Sequence, residues 1–97
     1  MMETFIFLGK YSPEAVRDIS SDRTSNTITL IKEIGGEVVS MYALLGGYDL
    51  VLIVKLPSAT TAMKASLALT MLTGISFQTH PALAVDDLDR IIGEARE

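Results

Sequence analysis

The chain is 97 residues long, 48% apolar, with eight Lys and Arg against twelve Asp and Glu for a formal net charge of −4. That length bounds residues 1–97 to one small domain, and acidic balance with scattered basic residues argues against a nucleic-acid partner. The absence of cysteine excludes disulfides, thiolate chemistry and cysteine-based metal sites, and no run approaches the ~20 apolar residues of a membrane-spanning helix.

The first apolar run, Thr4 to Tyr11, predicts a strand. Met1-Met2-Glu3-Thr4 lacks the basic and apolar regions of a secretory leader, so a cytoplasmic location is expected. Ser12-Pro13 reads as an N-cap and a first helical residue, and Glu14 to Ile19 continues as a short helix. Ser20-Ser21-Asp22 offers a second cap and predicts a break before the helix resumes. From Arg23 to Ile34, Ile28, Ile31 and Ile34 recur at every third position, with Thr24 and Thr27 extending the stripe. Gly35-Gly36 then ends the helix in a left-handed cap.

A hairpin is expected next. Val38 to Leu45 and Leu50 to Leu56 are apolar runs split by Gly46-Gly47-Tyr48-Asp49. The glycines supply the positive φ of a tight turn, and the aspartate suits hydrogen bonds from turn N–H groups. Ser58 caps an alanine-rich helix from Ala59 to about Leu72, with Met63, Leu67 and Thr70 or Met71 expected in the core and Lys64 in water. Gly74 stops it. Ile75 to His80 alternates apolar and polar, the period of a half-buried strand. After Pro81, the segment Asp86 to Ile92 predicts a C-terminal helix. Its acids Asp86, Asp87 and Asp89 read as dipole partners, because the glycine and closing glutamate of a calcium loop are missing.

The order β-α-β-β-α-β plus a terminal helix predicts a ferredoxin-like α+β sandwich. Its four-stranded antiparallel sheet has the first and third strands at the centre and the helices on one face. Both alternating sets of the third strand are apolar: Leu50, Leu52, Val54 and Leu56 on one side, Val51 and Ile53 on the other. A wet face would be polar at every second position. A chain this small cannot conceal so much apolar surface alone. The expected cover is a second copy, giving a homodimer or higher homo-oligomer joined through the open sheet face as a dimeric α+β barrel.

These residues carry a resemblance. Leu8-Gly9-Lys10-Tyr11, then Gly35-Gly36, then Gly46-Gly47-Tyr48-Asp49, then a strand closing on Pro57, resemble the GYD domain family, named for the tripeptide read here as Gly47-Tyr48-Asp49. The resemblance spans Phe5 to about Ile92 and implies a fold more than an activity. A weaker similarity is to the effector-binding domain of leucine-responsive and asparagine-type regulators, which has the same element order and a comparable turn matching Gly46, Tyr48 and Asp49. In those regulators small amino acids bind near that turn between subunits. The chain has no helix-turn-helix ahead of the sheet, so the similarity implies a stand-alone sensor or adaptor.

The candidate ligand-binding residues are Gly46, Gly47, Tyr48 and Asp49 in the turn, with His80, Gln78, Tyr11 and Tyr42 at the expected interface cavity. Asp49 reads first as a structural acceptor of turn N–H groups and Tyr48 as a packed rim residue, with the ligand-binding role as the alternative. His80 is the sole histidine; by alternation it shares a face with Ser76 and Gln78. It reads either as a general base in a partly dry cavity or as an edge residue facing water. Three functions remain open: a binding module for a small metabolite, a cofactor-free monooxygenase or isomerase of the dimeric-barrel kind using His80, or an assembly protein. No cofactor or metal is implied. The scarcity of a base, an orienting partner and a charge stabiliser in one motif favours the binding module.

Overall fold

The computed structural model describes residues 1–96. Its elements are β1 (Glu3–Lys10), α1 (Pro13–Arg17), α2 (Ser21–Glu33), β2 (Glu37–Ala43), β3 (Leu50–Leu56), α3 (Ala59–Thr73), β4 (Ser76–Ala82) and α4 (Val85–Ala95). The strands form one antiparallel sheet in the order β2-β3-β1-β4, so β1 and β3 are central as the ferredoxin-like pattern requires. No helix among the described residues is long and apolar enough to cross a membrane.

Local chemistry sets the helix boundaries. Ser12 Oγ accepts from the Ala15 N–H, with Pro13 in the first turn, where its missing N–H costs nothing. Ser20 and Ser58 do the same for α2 and α3, accepting from Arg23 and Thr61. The predicted break between α1 and α2 therefore falls where a second serine competes for free N–H groups. Helix α2 ends in a Schellman pair: Gly35 N–H to the Lys32 carbonyl at 3.0 Å and Gly36 N–H to the Ile31 carbonyl at 2.9 Å.

The core lies between the sheet and helices α2 and α3. Phe5 and Phe7 of β1, with Leu52, Val54 and Leu56 of β3, meet Ile31 of α2 and Ala62, Ala65 and Leu69 of α3. Burying each large side chain contributes on the order of 1.5–3 kcal/mol, which makes this layer the main source of stability.

Two expectations are corrected. Met63, Leu67 and Met71 are not core residues; they are 65%, 60% and 83% exposed, and α3 instead buries Ala62, Ala65, Ser66, Leu69 and Thr73. Alanines let the helix approach the sheet closely, whereas a methionine and leucine face would hold it away. Secondly, the β2–β3 connection is not a tight turn. It is a loop running from Leu44 to Asp49, closed by Leu44 N–H on the Asp49 carbonyl at 2.8 Å, and only Gly46 of the glycine pair has a positive φ, +142°. Strand β2 also carries a register shift between Val38 and Ser40, which leaves Val39 exposed as a bulge.

Helix α4 has the predicted acidic first turn, Asp86 and Asp87, but none of its residues is buried. Strand β4 runs through Pro81, which sits opposite Phe5 and is accommodated because β4 is an edge strand.

Candidate functional site

The sheet face turned away from α2 and α3 carries three of the candidate residues, Tyr42, Gln78 and His80. Alternation from Phe5 and Phe7 places Ile6 and Leu8 of β1 on this face, and alternation from Leu52 and Val54 places Val51 and Ile53 there. Strand pairing aligns them in two rows. One runs Ser40, Ile53, Ile6, His80; the next runs Tyr42, Val51, Leu8, Gln78. Each row has two half-buried aliphatic residues at its centre and polar groups at both ends. From β2 to β4 a row spans about 14 Å, three interstrand spacings.

On the β4 edge the exposed His80 ring donates from Nε2 to Gln78 Oε1 at 3.2 Å. The two residues are two apart on one strand, which places their side chains on the same face. Tyr42, 60% exposed, stands at the opposite edge. His80, Gln78 and Tyr42 thus share one surface, with aliphatic carbon between them. Such a surface offers an apolar floor to a small molecule and donors and acceptors at its margin.

The turn residues form a separate feature at the end of the sheet nearer the Tyr42 row. Asp49 is held by its backbone as well as its side chain: its N–H donates to the Gly9 carbonyl at 2.8 Å, and its Oδ2 accepts from the Tyr11 N–H at 2.8 Å. Lys10 Nζ donates to the Gly47 carbonyl at 3.0 Å. The loop is therefore strapped to the end of β1 by three hydrogen bonds. Asp49 engages the neighbouring strand end through its carboxylate. Tyr48 is half-buried.

Tyr11 does not join Tyr42. Its ring lies on the helix side, with the Arg23 guanidinium 5.2 Å from the ring centroid, in a crevice of about 40 Å³ shared with Thr27, Met41 and Phe77. Arg23 also donates to the Ala15 carbonyl, tying α2 to α1. The alternation that puts Phe7 and Gly9 under the helices carries on to Tyr11, whereas Tyr42 follows the outward set of β2.

Sequence reasoning missed a concave surface on the helix side of the sheet. A groove of about 270 Å³ runs between α3 and β4, with Met63 and Leu67 on its helix wall, Thr79 and Pro81 on its strand wall, and Phe5 and Ala62 at its floor. It exists because α3 buries its alanine side, leaving the larger side chains to overhang the edge of the sheet. The signal that could have located it is the alanine spacing Ala62, Ala65. Among the described residues no three of His, Asp and Glu gather as metal ligands would.

The model of the GYD domain matches residues 5–92. No curated protein matches the chain. Among solved structures, the fold is similar to the crystal structure of the Mycobacterium tuberculosis leucine response regulatory protein (LrpA), with a TM-score of 0.59 at 17% identity. The likeness covers 86% of this chain and 51% of that one, so the chain spans about half the length of that regulator.

Proposed function

The chain belongs to the GYD domain family, and we propose that it is a small oligomeric binding protein. Its copies meet through the open sheet face and hold a small metabolite between them, without a cofactor, in the cytoplasm. The observation that carries this reading is the pair of rows on that face: Ile6, Leu8, Val51 and Ile53 at the centre, with Tyr42, Gln78 and His80 at the margins. Aliphatic residues on a sheet are covered when a second sheet stacks about 10 Å away. Polar residues at the rim of such a sandwich are then positioned to recognise a ligand that enters from the edge.

The His80–Gln78 pair supports binding ahead of catalysis. Gln78 is neutral, so the bond sets the ring's orientation without the carboxylate that commonly steers a histidine base. The hydrogen-bonding of Asp49 assigns it first to holding the loop, and Tyr48 and the Gly46–Gly47 backbone border the ligand from the sheet end. Leucine is the first compound to test, because the similar structure is that of a leucine response regulatory protein.

Native mass spectrometry of freshly purified protein tests the reading. The expected spectrum shows a dimer or larger assembly carrying a small non-covalent mass, or taking up added leucine or another small amino acid. A ligand-free oligomer that takes up none of them would favour a purely structural role, and a monomer would remove the shared cavity altogether.

A further inference from the structure

We infer that the groove between α3 and β4 is a further binding site, for a small uncharged molecule, mostly hydrocarbon, that carries one hydroxyl or carbonyl oxygen. It lies on the helix side of the sheet, so it does not depend on the open face where the copies are proposed to meet.

The hydroxyl of Ser66 carries the inference. The buried polar residues of the described chain are Thr27, Ser66 and Thr73. Thr27 and Thr73 each donate their hydroxyl to the carbonyl one turn back, Arg23 at 3.0 Å and Leu69 at 2.7 Å. Ser66 is only 8% exposed, yet its Oγ has no hydrogen-bond partner among the described residues. Its backbone carbonyl alone meets a side chain, accepting from the Thr70 hydroxyl at 3.1 Å. No fully enclosed side-chain oxygen or nitrogen of the described residues lacks a partner, so the Ser66 Oγ is not sealed off. The opening it keeps is the groove that Ser66 lines. A nearly buried hydroxyl without a protein partner is costly, and an oxygen seated in the groove would supply that partner. Because a serine hydroxyl both donates and accepts, alcohol and carbonyl oxygens suit it alike.

The rest of the lining sets the chemistry of the occupant. Phe5 and Ala62 form an apolar floor, and Met63 and Leu67 overhang it, 65% and 60% exposed. Thr79 on the strand wall adds a further hydroxyl beside Pro81. None of the lining residues is charged. An ion seated there would lose its hydration with no counter-charge in return. Free amino acids, as zwitterions, are therefore excluded, which separates this ligand from the one proposed for the sheet face.

Size follows from the volume. An apolar cavity of about 150 Å³ accommodates benzene, so a groove of about 270 Å³ suits roughly ten non-hydrogen atoms. The helix wall from Ala59 to Leu67 is about 12 Å long, which favours an extended chain over a compact ring. Met63 gives that wall a flexible, polarisable surface able to follow the chain.

The probe is n-octanol, an uncharged chain of that size with one hydroxyl, and octanoate is its charged counterpart. Titration of the full chain is followed by NMR through the backbone amide shifts. Octanol is expected to move Ala62 to Leu67 together with Thr79 and Ala82, and to bind about tenfold more tightly than octanoate or better. Ser66→Ala, a change a helix tolerates, is expected to weaken octanol by about threefold to tenfold. Met71→Ala, on the same helix but outside the groove, should leave it unaltered. The absence of shifts, equal affinity for the two probes, or unchanged affinity in Ser66→Ala would each overturn the inference. So would shifts confined to Ile6, Leu8, Val51 and Ile53 on the open face. Nuclear Overhauser contacts from Leu67 to Leu88 or Ile91 in probe-free protein would make the chain's own α4 the occupant, and would overturn it as well. Ile53→Lys keeps the two proposals apart. Octanol binding is expected to persist in that variant whether or not the copies separate, and its loss would tie the site to the assembly and refute it.

Discussion

The Asp49 carboxylate accepts a hydrogen bond from the backbone N–H of Tyr11, 38 residues earlier, at 2.8 Å. Together with the Asp49 N–H on the Gly9 carbonyl, it fastens the β2–β3 loop to the end of the central strand β1. The residue that gives the loop its recognisable sequence is thus a cross-strand fastening. Asp49→Ala is expected to lose about 1.5–3 kcal/mol, because the bond is charge-assisted and the Tyr11 N–H is partly buried. Asp49→Asn keeps an acceptor and should lose about 1 kcal/mol. Urea unfolding of the two variants measures both, and equal losses would show that charge contributes nothing.

Gly36→Ala and Gly47→Ala form a matched pair. A Cβ on Gly36 would meet the Lys55 carbonyl oxygen at 2.5 Å and also collide with the Leu56 side chain. Nothing lies within 4 Å of the same atom on Gly47. The first change is expected to cost about 2–3 kcal/mol as α2 is pushed off β3, the second less than about 0.5 kcal/mol. Thermal melts of both proteins at one concentration decide it.

Leu69 and Met71 lie two residues apart on α3 but have opposite fates. Leu69→Ala should cost about 2–5 kcal/mol, the range for emptying a packed site. Met71→Ala should stay within about 0.5 kcal/mol, because its side chain is 83% exposed. A reversal would mean that α3 is rotated about its axis.

Ile53→Lys places a charge at the centre of the open sheet face. Sedimentation is expected to show monomers where the wild type associates, with circular dichroism unchanged because the residue is only half-buried within one chain. Loss of the folded signal itself would indicate that Ile53 supports the monomer.

His80→Ala separates recognition from turnover once a bound compound is known. Affinity is expected to fall several-fold with stability unaltered, since the ring is exposed and bonded only to Gln78 in its strand. Unchanged affinity accompanied by lost turnover would favour the enzyme reading instead.

The parts that were legible in the sequence are those governed by local chemistry. Ser12-Pro13, Ser20, Ser58 and Gly74 marked the helix ends because caps depend on the residues within one turn. The alternation from Ile75 to His80 placed Gln78 and His80 together on the outward face for the same reason. The orientation of α3 was not legible. Its residues are apolar nearly all round, so Met63, Leu67 and Met71 fit the helical period as well as Ala62, Ala65 and Leu69, and only the closeness of the sheet selects the smaller set. Nor was the β2 bulge, because one inserted residue leaves the hydrophobic pattern intact while shifting the partner register. Tyr11 and Tyr42 were read together for want of knowing which layer each strand end entered.

The bulge at Val39 and the ring of Pro81 lie on the two outer strands, β2 and β4. An uninterrupted outer strand invites another chain to add itself sideways, and repetition of that event builds a fibre. Here one margin is twisted out of line and the other replaces an N–H with a rigid ring. Lateral growth is discouraged on both flanks, so the proposed stacking of faces, a geometry that closes after a fixed number of copies, would meet no competition from the margins.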